Sequence, residues 1–329
     1  MTEVQVPVSN VVTSTGAGLG RVSRLLRSLT AQPGYTLMRG MARFAWLRQL
    51  VTTARRSVHA RSRVVYRRQC EARIQDTLFP RLDTARLVKE LKESGLAFGL
   101  KLPPEIVAAI SQYAEKTPCY ADRQASCGFT LDQRSEAERI LGKPILLAQY
   151  FNTIEACPEI AKLATDPVLQ TIACDYLGSV PTFVGANLWW TFPVDALASD
   201  RDRHAHLFHR DVDDFRFFKF FFYLTDVALG DGAHVCVSGS HQRPPKLSFS
   251  DRWNIRRYTD QEITGQYHAV DIHEICGTAG EGFAENTLCI HKGRTPTKAP
   301  RLLLQLQYAL FDYGAMHDRR EDSILRMLL

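Results

Sequence analysis

The chain has 329 residues, 45% of them hydrophobic and 23% charged, a balance that fits a globular protein with one large core or two modest ones and excludes wholesale disorder. Its most apolar run, FRFFKFFFYL, is broken by Arg216 and Lys219, so no segment reads as a transmembrane helix. The opening residues carry no basic and apolar pair of regions that would read as a secretory signal, and a cytoplasmic location is expected. The eight cysteines show no Cys-x-x-Cys spacing, which argues against a zinc knuckle and a disulfide framework and leaves them as buried small apolar side chains.

The net charge of +6 is unevenly placed: residues 1–75 hold thirteen Arg, no Lys and only Glu3 and Glu71, a local +11 that leaves −5 for the remainder. Within that quarter TGAGLG, residues 15–20, departs from Gly-x-Gly-x-x-Gly and is followed by neither an acidic partner nor a GK[ST], so it reads as a turn. Val22, Leu25, Leu26 and Leu29 recur at helical spacing with Arg21, Arg24 and Arg27 on other faces, and a second amphipathic stretch spans residues 38–56. A basic helical extension is therefore expected over residues 1–75. Three readings stay open for it: a helical layer packed on the main domain, contact with an anionic surface such as membrane lipid or nucleic acid, or an Arg-rich transit segment. No sequence-specific nucleic-acid partner is expected.

From residue 76 the pattern turns to helices with recognisable ends. DTARLVKELKESG starts at Asp83 or Thr84 and stops at Gly95, LPPEIVAAISQYAEK places Pro in its first turn and Glu105 near the positive end of the dipole, and CPEIAKLATD and DPVLQTIACDYLG run on to Gly178. The rhythm then becomes β: VGANLWWTF, FRFFKFFFYLTDV, AHVCVSGS, YHAVDI and RLLLQLQYAL are short, aromatic or β-branched, and set off by Gly, Pro, Asp and Asn. Helices followed by strands predict an α+β domain over residues 76–329, with a double-stranded β-helix, or jelly roll, flanked by helices.

HRDVDDF, residues 209–215, imitates a kinase catalytic loop, but the fifth residue beyond Asp211 is Arg216 instead of Asn, and no Asp-Phe-Gly or Gly-rich loop accompanies it. His209 and Asp211 are separated by one residue, so on a strand both point to one face, where an imidazole and a carboxylate can share an ion. His291 in LCIHKGRTP is a possible third ligand, and two histidines with a carboxylate form the facial triad of non-haem Fe(II) oxygenases. Ten residues further, Arg301 opens a strand whose alternation sets Arg301, Leu303, Gln305 and Gln307 against Leu302, Leu304, Leu306 and Tyr308. A guanidinium on the polar face can hold a carboxylate through two parallel hydrogen bonds, as the far end of 2-oxoglutarate would require.

HRDVDDFRFFKFFFYLTDV, VSGSH and HKGRTPTKAPRLLLQLQY, together with YLG at residues 176–178 and LWWTFP at 188–193, resemble the phytanoyl-CoA dioxygenase family of Fe(II)- and 2-oxoglutarate-dependent oxygenases, over residues 95–312. The resemblance implies that His209, Asp211 and His291 bind Fe(II), that Arg301 anchors the distal carboxylate of 2-oxoglutarate, and that O2 is consumed with release of succinate and CO2. It also implies oxidation without halogenation, because halogenating relatives carry a small residue at the position of Asp211. Gly293 stands where some relatives have a hydroxyl that helps to hold the cosubstrate.

Other side chains have two readings each. Asn187 and Trp189 share a strand face and reach either cosubstrate and substrate or, for Trp189, the core. Lys219 is a pocket cation or a snorkelling lysine, and His204 and His206 face the substrate or lie exposed on a loop. His241 reads as structural, and His234, His268, His273 and His317 show no pattern. With Arg256 and Arg257, the cations near the mouth favour a small polar or anionic substrate. Two rival functions remain: a catalytically silent jelly roll binding through its basic arm, and a zinc domain using the same three ligands.

Overall fold

The computed structural model describes residues 32–195, 198–245, 256–314 and 318–329; TGAGLG, the amphipathic run at residues 22–29 and His317 lie outside the described residues. Among the described residues eleven strands are formed: β1 Leu96–Lys101, β2 Cys119–Ala121, β3 Gly128–Phe129, β4 Leu147–Tyr150, β5 Thr182–Thr191, β6 Phe217–Tyr223, β7 His234–Val237, β8 Ile272–Ile275, β9 Glu281–Glu285, β10 Ile290–Gly293 and β11 Arg301–Ala309. They make an eight-stranded sheet in the order β1-β9-β6-β11-β5-β4-β2-β3 and a three-stranded sheet in the order β10-β7-β8. All of these strand pairs are antiparallel.

Strands β6 and β11 are buried on both faces, which is why β6 reads as a nearly unbroken aromatic run. Phe218, Phe220 and Phe222 of β6, Leu302, Leu304, Leu306 and Tyr308 of β11, and Ala186 and Leu188 of β5 enter one core with Leu87, Leu91, Leu163, Leu169 and Ile172 from the covering helices. The alternate residues Phe221, Leu303 and Trp189 form a second cluster towards the small sheet, with Cys236 and Ile275. The polar members of that second face, Lys219, Arg301, Gln305, Gln307 and Asn187, line a cavity between the sheets. One alternation thus builds both a core and a site.

The helix ends follow the expected chemistry. Thr84–Glu93 is capped by Asp83, which accepts from the Arg86 amide, and Gly95 beyond it is left-handed at φ 78°. Pro167–Leu177 begins on Asp166 and stops at Gly178, left-handed at φ 72°. Asp166 is buried; its Oδ1 accepts from Val168 N at 2.9 Å and Leu169 N at 3.2 Å while its Oδ2 accepts from Leu78 N at 2.8 Å. One carboxylate therefore caps a helix and tethers a loop. Asp166→Ala is expected to cost about 2–4 kcal/mol in urea unfolding, the sum of a lost cap and an orphaned buried amide; a loss below about 0.5 kcal/mol would contradict this role.

The amphipathic stretch at 38–56 is not one helix. Pro33–Met41 and Ala45–Val58 are separate, and the Arg48 side chain ends the first by donating Nη1 to Ala42 O at 2.7 Å. A third helix, Ala60–Ala72, follows. Met38 and Ala42 enter the core, Arg55 donates to Leu310 O at 3.3 Å and stacks on Phe311, Arg67 pairs with Asp175 at 3.3 Å, and Arg73 donates to Thr165 O at 2.7 Å. These arginines face the rest of the fold.

The strand expected at YHAVDI is displaced. Residues Ala269–Asp271 form a single 3-10 turn closed by Asp271 N donating to His268 O, and β8 begins at Ile272.

Candidate metal centre and its cavity

His209 and Asp211 do not share a regular strand. His209 pairs with His291 of β10 as an isolated antiparallel bridge, each amide donating to the other's carbonyl at 2.9 Å. Residues paired in this way project side chains to one face, and the two imidazoles lie with centroids 4.3 Å apart. Asp211 reaches the same point from a loop whose amide donates to Thr287 O at 2.8 Å. Its Oδ1 is 3.6 Å from His209 Nε2 and its Oδ2 is 3.6 Å from His291 Nε2, and one ligand atom from each residue lies within 4.8 Å of the others. The three side chains are brought together by bridge pairing instead of the strand alternation expected from the sequence.

The two histidines are oriented alike. His209 Nδ1 lies 2.9 Å from Leu207 O and His291 Nδ1 lies 2.9 Å from Cys289 O. A proton on each Nδ1 satisfies those carbonyls and leaves each Nε2 lone pair aimed at Asp211. Burial, reinforced by His291, holds His209 well below its ordinary pKa, so it stays neutral as a ligand must. Burial works to protonate Asp211, yet Lys219 prevails and holds its carboxyl well below the usual range.

Lys219 is buried, with Nζ 2.6 Å from Asp211 Oδ2 and 3.2 Å from Asp213 Oδ2. Burial opposes its charge, but the two carboxylates raise its pKa above the ordinary value. It is a fixed cation beneath the site, not a snorkelling surface lysine. Lys219→Met would leave two half-buried carboxylates without the cation they share, a loss of about 3 kcal/mol. A divalent metal would neutralise Asp211 and recover part of it. The metal-induced rise in melting temperature is therefore expected to be larger in Lys219→Met than in the wild type; an equal rise would contradict the coupling.

Arg301 opens β11 opposite Thr191 of β5. It is buried, donates to Gly232 O through Nη1 and to Thr191 Oγ1 through Nη2 at 3.4 Å, and its Nε has no hydrogen-bond partner among the described residues. A buried guanidinium without a carboxylate is costly unless an anion completes it. His206, whose Nδ1 lies 2.8 Å from Thr295 Oγ1, stands in the same corner, whereas Asn187, whose Oδ1 accepts from Gln149 Nε2 at 3.0 Å, lines the cavity further along β5, opposite Gln305. A Cβ at Gly293 would meet Arg301 at 3.5 Å and His206 at 3.8 Å, so the missing hydroxyl of that position falls in the same corner.

All nine side chains singled out in the sequence line one cavity of about 270 Å³: His209, Asp211, His291, Arg301, Asn187, Lys219, His204, His206 and Trp189. His204 is buried, with Nε2 2.9 Å from Asp122 Oδ1, so it is not an exposed loop histidine. His241 packs away from the cluster, its Nδ1 3.2 Å from Cys289 Sγ. Arg257 lines the cavity, whereas Arg256 pairs with Glu262.

Sequence reading missed His234, Asp213 and the arginines Arg39, Arg123, Arg203 and Arg210, which also line the cavity. His234 stacks on His291, interplanar angle 17°, and its Nε2 is 2.6 Å from Glu285 Oε2. Burial pushes Glu285 up to about 8 and, with Arg301, brings His234 down to about 3. Near neutral pH the protonated Glu285 carboxyl thus donates to His234. Only Asp213 left a signal, as the next member of the alternation His209, Asp211, Asp213.

No family model matches the chain, and no curated protein matches it. Among solved structures, the epimerase SnoN in complex with Fe3+, alpha ketoglutarate and nogalamycin RO is similar at 15% identity and TM-score 0.48, covering 68% of this chain and 82% of that one. The non-heme alpha ketoglutarate dependent carbocyclase SnoK from nogalamycin biosynthesis is similar at 16% identity and TM-score 0.47, over 70% of this chain and 85% of its own. HygX from Streptomyces hygroscopicus, with nickel, 2-oxoglutarate and hygromycin B bound, is similar at 14% identity and TM-score 0.46, over 68% and 85%.

Proposed function

We propose that the protein is an Fe(II)- and 2-oxoglutarate-dependent oxygenase on a double-stranded β-helix core, of the phytanoyl-CoA dioxygenase type, which hydroxylates or otherwise oxidises a C–H bond of a small polar or anionic metabolite. The observation that carries this reading is the placement, in one cavity, of a His209, Asp211, His291 cluster and a buried Arg301 whose Nε lacks a partner among the described residues. The donor set fits the ion: two imidazoles and one charged carboxylate grouped on one side leave the other side open. Zinc would fit the same three ligands but gives Arg301 no role.

Bound together, iron and 2-oxoglutarate supply the oxidising power, with O2 consumed and succinate and CO2 released. The chain's own residues position and protect. Arg301 takes the distal carboxylate of 2-oxoglutarate with paired donors, and the Asn187 amide, fixed by Gln149, offers a further donor elsewhere on the cavity wall. Lys219 keeps Asp211 ionised. Phe221, Leu303 and Trp189 form an apolar wall that keeps water from the reacting centre. His204, His206 and Trp189 are assigned to the substrate side.

A crystal soaked under nitrogen with Fe(II) and 2-oxoglutarate tests this arrangement. An anomalous iron peak among His209, Asp211 and His291, with a carboxylate of 2-oxoglutarate on Arg301, is expected. A metal elsewhere, or 2-oxoglutarate bound away from Arg301, would overturn the reading.

A further inference from the structure

Seven Lys and Arg side chains line the cavity against two carboxylates, Asp211 and Asp213. Lys219 takes both carboxylates and Arg301 is assigned to 2-oxoglutarate, which leaves five guanidiniums: Arg39, Arg123, Arg203, Arg210 and Arg257. Arg257 donates Nε to Asp202 at 3.0 Å, but its Nη1 is buried with no partner among the described residues. The other four make no ion pair among the described residues, and the Nε of Arg39 is likewise buried and unpartnered. His204 adds a third such atom, Nδ1.

The backbone is strained to arrange them. Asp122, Arg123 and Ala205 are three of four non-glycine residues with left-handed φ among the described residues. Asp122 is clamped by Lys143 at 2.6 Å and by His204 at 2.9 Å, which holds Arg123 at the cavity, and Ala205 turns the chain between His204 and His206. Strain of this kind persists where the surroundings over-determine it and concentrates at ligand sites. Arg39 arrives from the N-terminal helix Pro33–Met41, which Tyr35 pins to the interior by donating its hydroxyl to Asp213 Oδ1 at 3.2 Å. Asp213 is also the second partner of Lys219.

We propose that this arginine cluster is a subsite for a phosphate group on the primary substrate, and that the basic N-terminal helix completes it by delivering Arg39. The proposal rests on the oxygenase reading, since it assigns Arg301 to the cosubstrate. A carboxylate brings one charge and two oxygens, too little for five guanidiniums; a phosphomonoester brings nearly two charges and three acceptor oxygens. Arginine is the residue suited to such oxygens, through its planar set of donors. The Arg-rich N-terminal segment thereby has a share in the site.

Calorimetry on protein loaded under nitrogen with Fe(II) and 2-oxoglutarate tests the assignment, with glycerol 2-phosphate and inorganic phosphate as probes and glycerol as the uncharged control. The visible band of the iron chelate reports loading in the same sample. Both phosphates are expected to bind and glycerol not to. Arg39→Ala, Arg203→Ala and Arg257→Ala should each weaken phosphate binding about tenfold while the chelate band and the melting temperature hold. No phosphate binding in samples that show the band, or binding indifferent to all three substitutions, would overturn the subsite and leave the oxygenase reading standing. Arginine-dependent phosphate binding without a band would support the subsite and sink the oxygenase reading.

Discussion

Asp211→Ala is expected to abolish metal-dependent turnover and to weaken divalent-metal binding by more than the about 10–100-fold typical of an outer partner, because it removes the only charged ligand of the three. The same substitution has a measurable effect on the metal-free protein. Lys219 would keep Asp213 at 3.2 Å, so the loss of stability should be about 1–3 kcal/mol, less than for a buried pair broken outright. The pH dependence has a definite sign. The folded carboxyl is held well below the ordinary 3.8, so the native state binds fewer protons than the unfolded chain. The resulting stability is present above that ordinary value and drains away as pH falls through the folded pKa. Thermal melts across the acid range should therefore show a shallower decline for Asp211→Ala than for the wild type. A parallel decline, or metal binding unchanged in calorimetry, would remove Asp211 from the centre.

Arg301→Ala carries the second large effect. Two charge-assisted hydrogen bonds to one carboxylate contribute about 3 kcal/mol together, so the 2-oxoglutarate concentration for half-saturation should rise about 100-fold with the metal site intact. Arg301→Lys should recover only part of this, because an ammonium supplies a point charge in place of two parallel donors. The variant also releases Gly232 O and Thr191 Oγ1, so melting temperature must be followed alongside. Unchanged saturation in a folded Arg301→Ala protein would assign the cosubstrate to another cation.

The parts of the site that were legible in the sequence are those fixed by short-range periodicity. The alternation along β11 sorted Arg301, Leu303, Gln305 and Gln307 from Leu302, Leu304 and Leu306 correctly, since one face of a doubly buried strand must be wet for polar residues to occupy it. Asp83, Gly95 and Gly178 marked helix ends because a side-chain cap and a left-handed stop are local chemistry.

What was not legible depends on contacts between distant segments. Short strands such as β9, EGFAE, carry two charges and a glycine and offer no β signature; β9 exists because β1 and β6 pair with both its edges. His234 gave no pattern, as its place beside His291 comes from the pairing of β7 with β10, which sets His234 opposite Gly293. Arg39 reaches the cavity because its helix meets the loop that holds Asp213. Tyr35 and Asp213, whose hydrogen bond joins the two, are 178 positions apart, and no window of sequence spans that separation.

In the proposed function His209, Asp211, His291 and Arg301 together hold Fe(II) and 2-oxoglutarate. The most direct test is an anaerobic titration of metal-free protein with Fe(II) and then 2-oxoglutarate, followed by visible absorption. A charge-transfer band is expected that saturates at one equivalent of iron, is lost in Asp211→Ala, and moves to higher 2-oxoglutarate concentration in Arg301→Ala. A folded wild-type protein that develops no band, or a band indifferent to both substitutions, would contradict it.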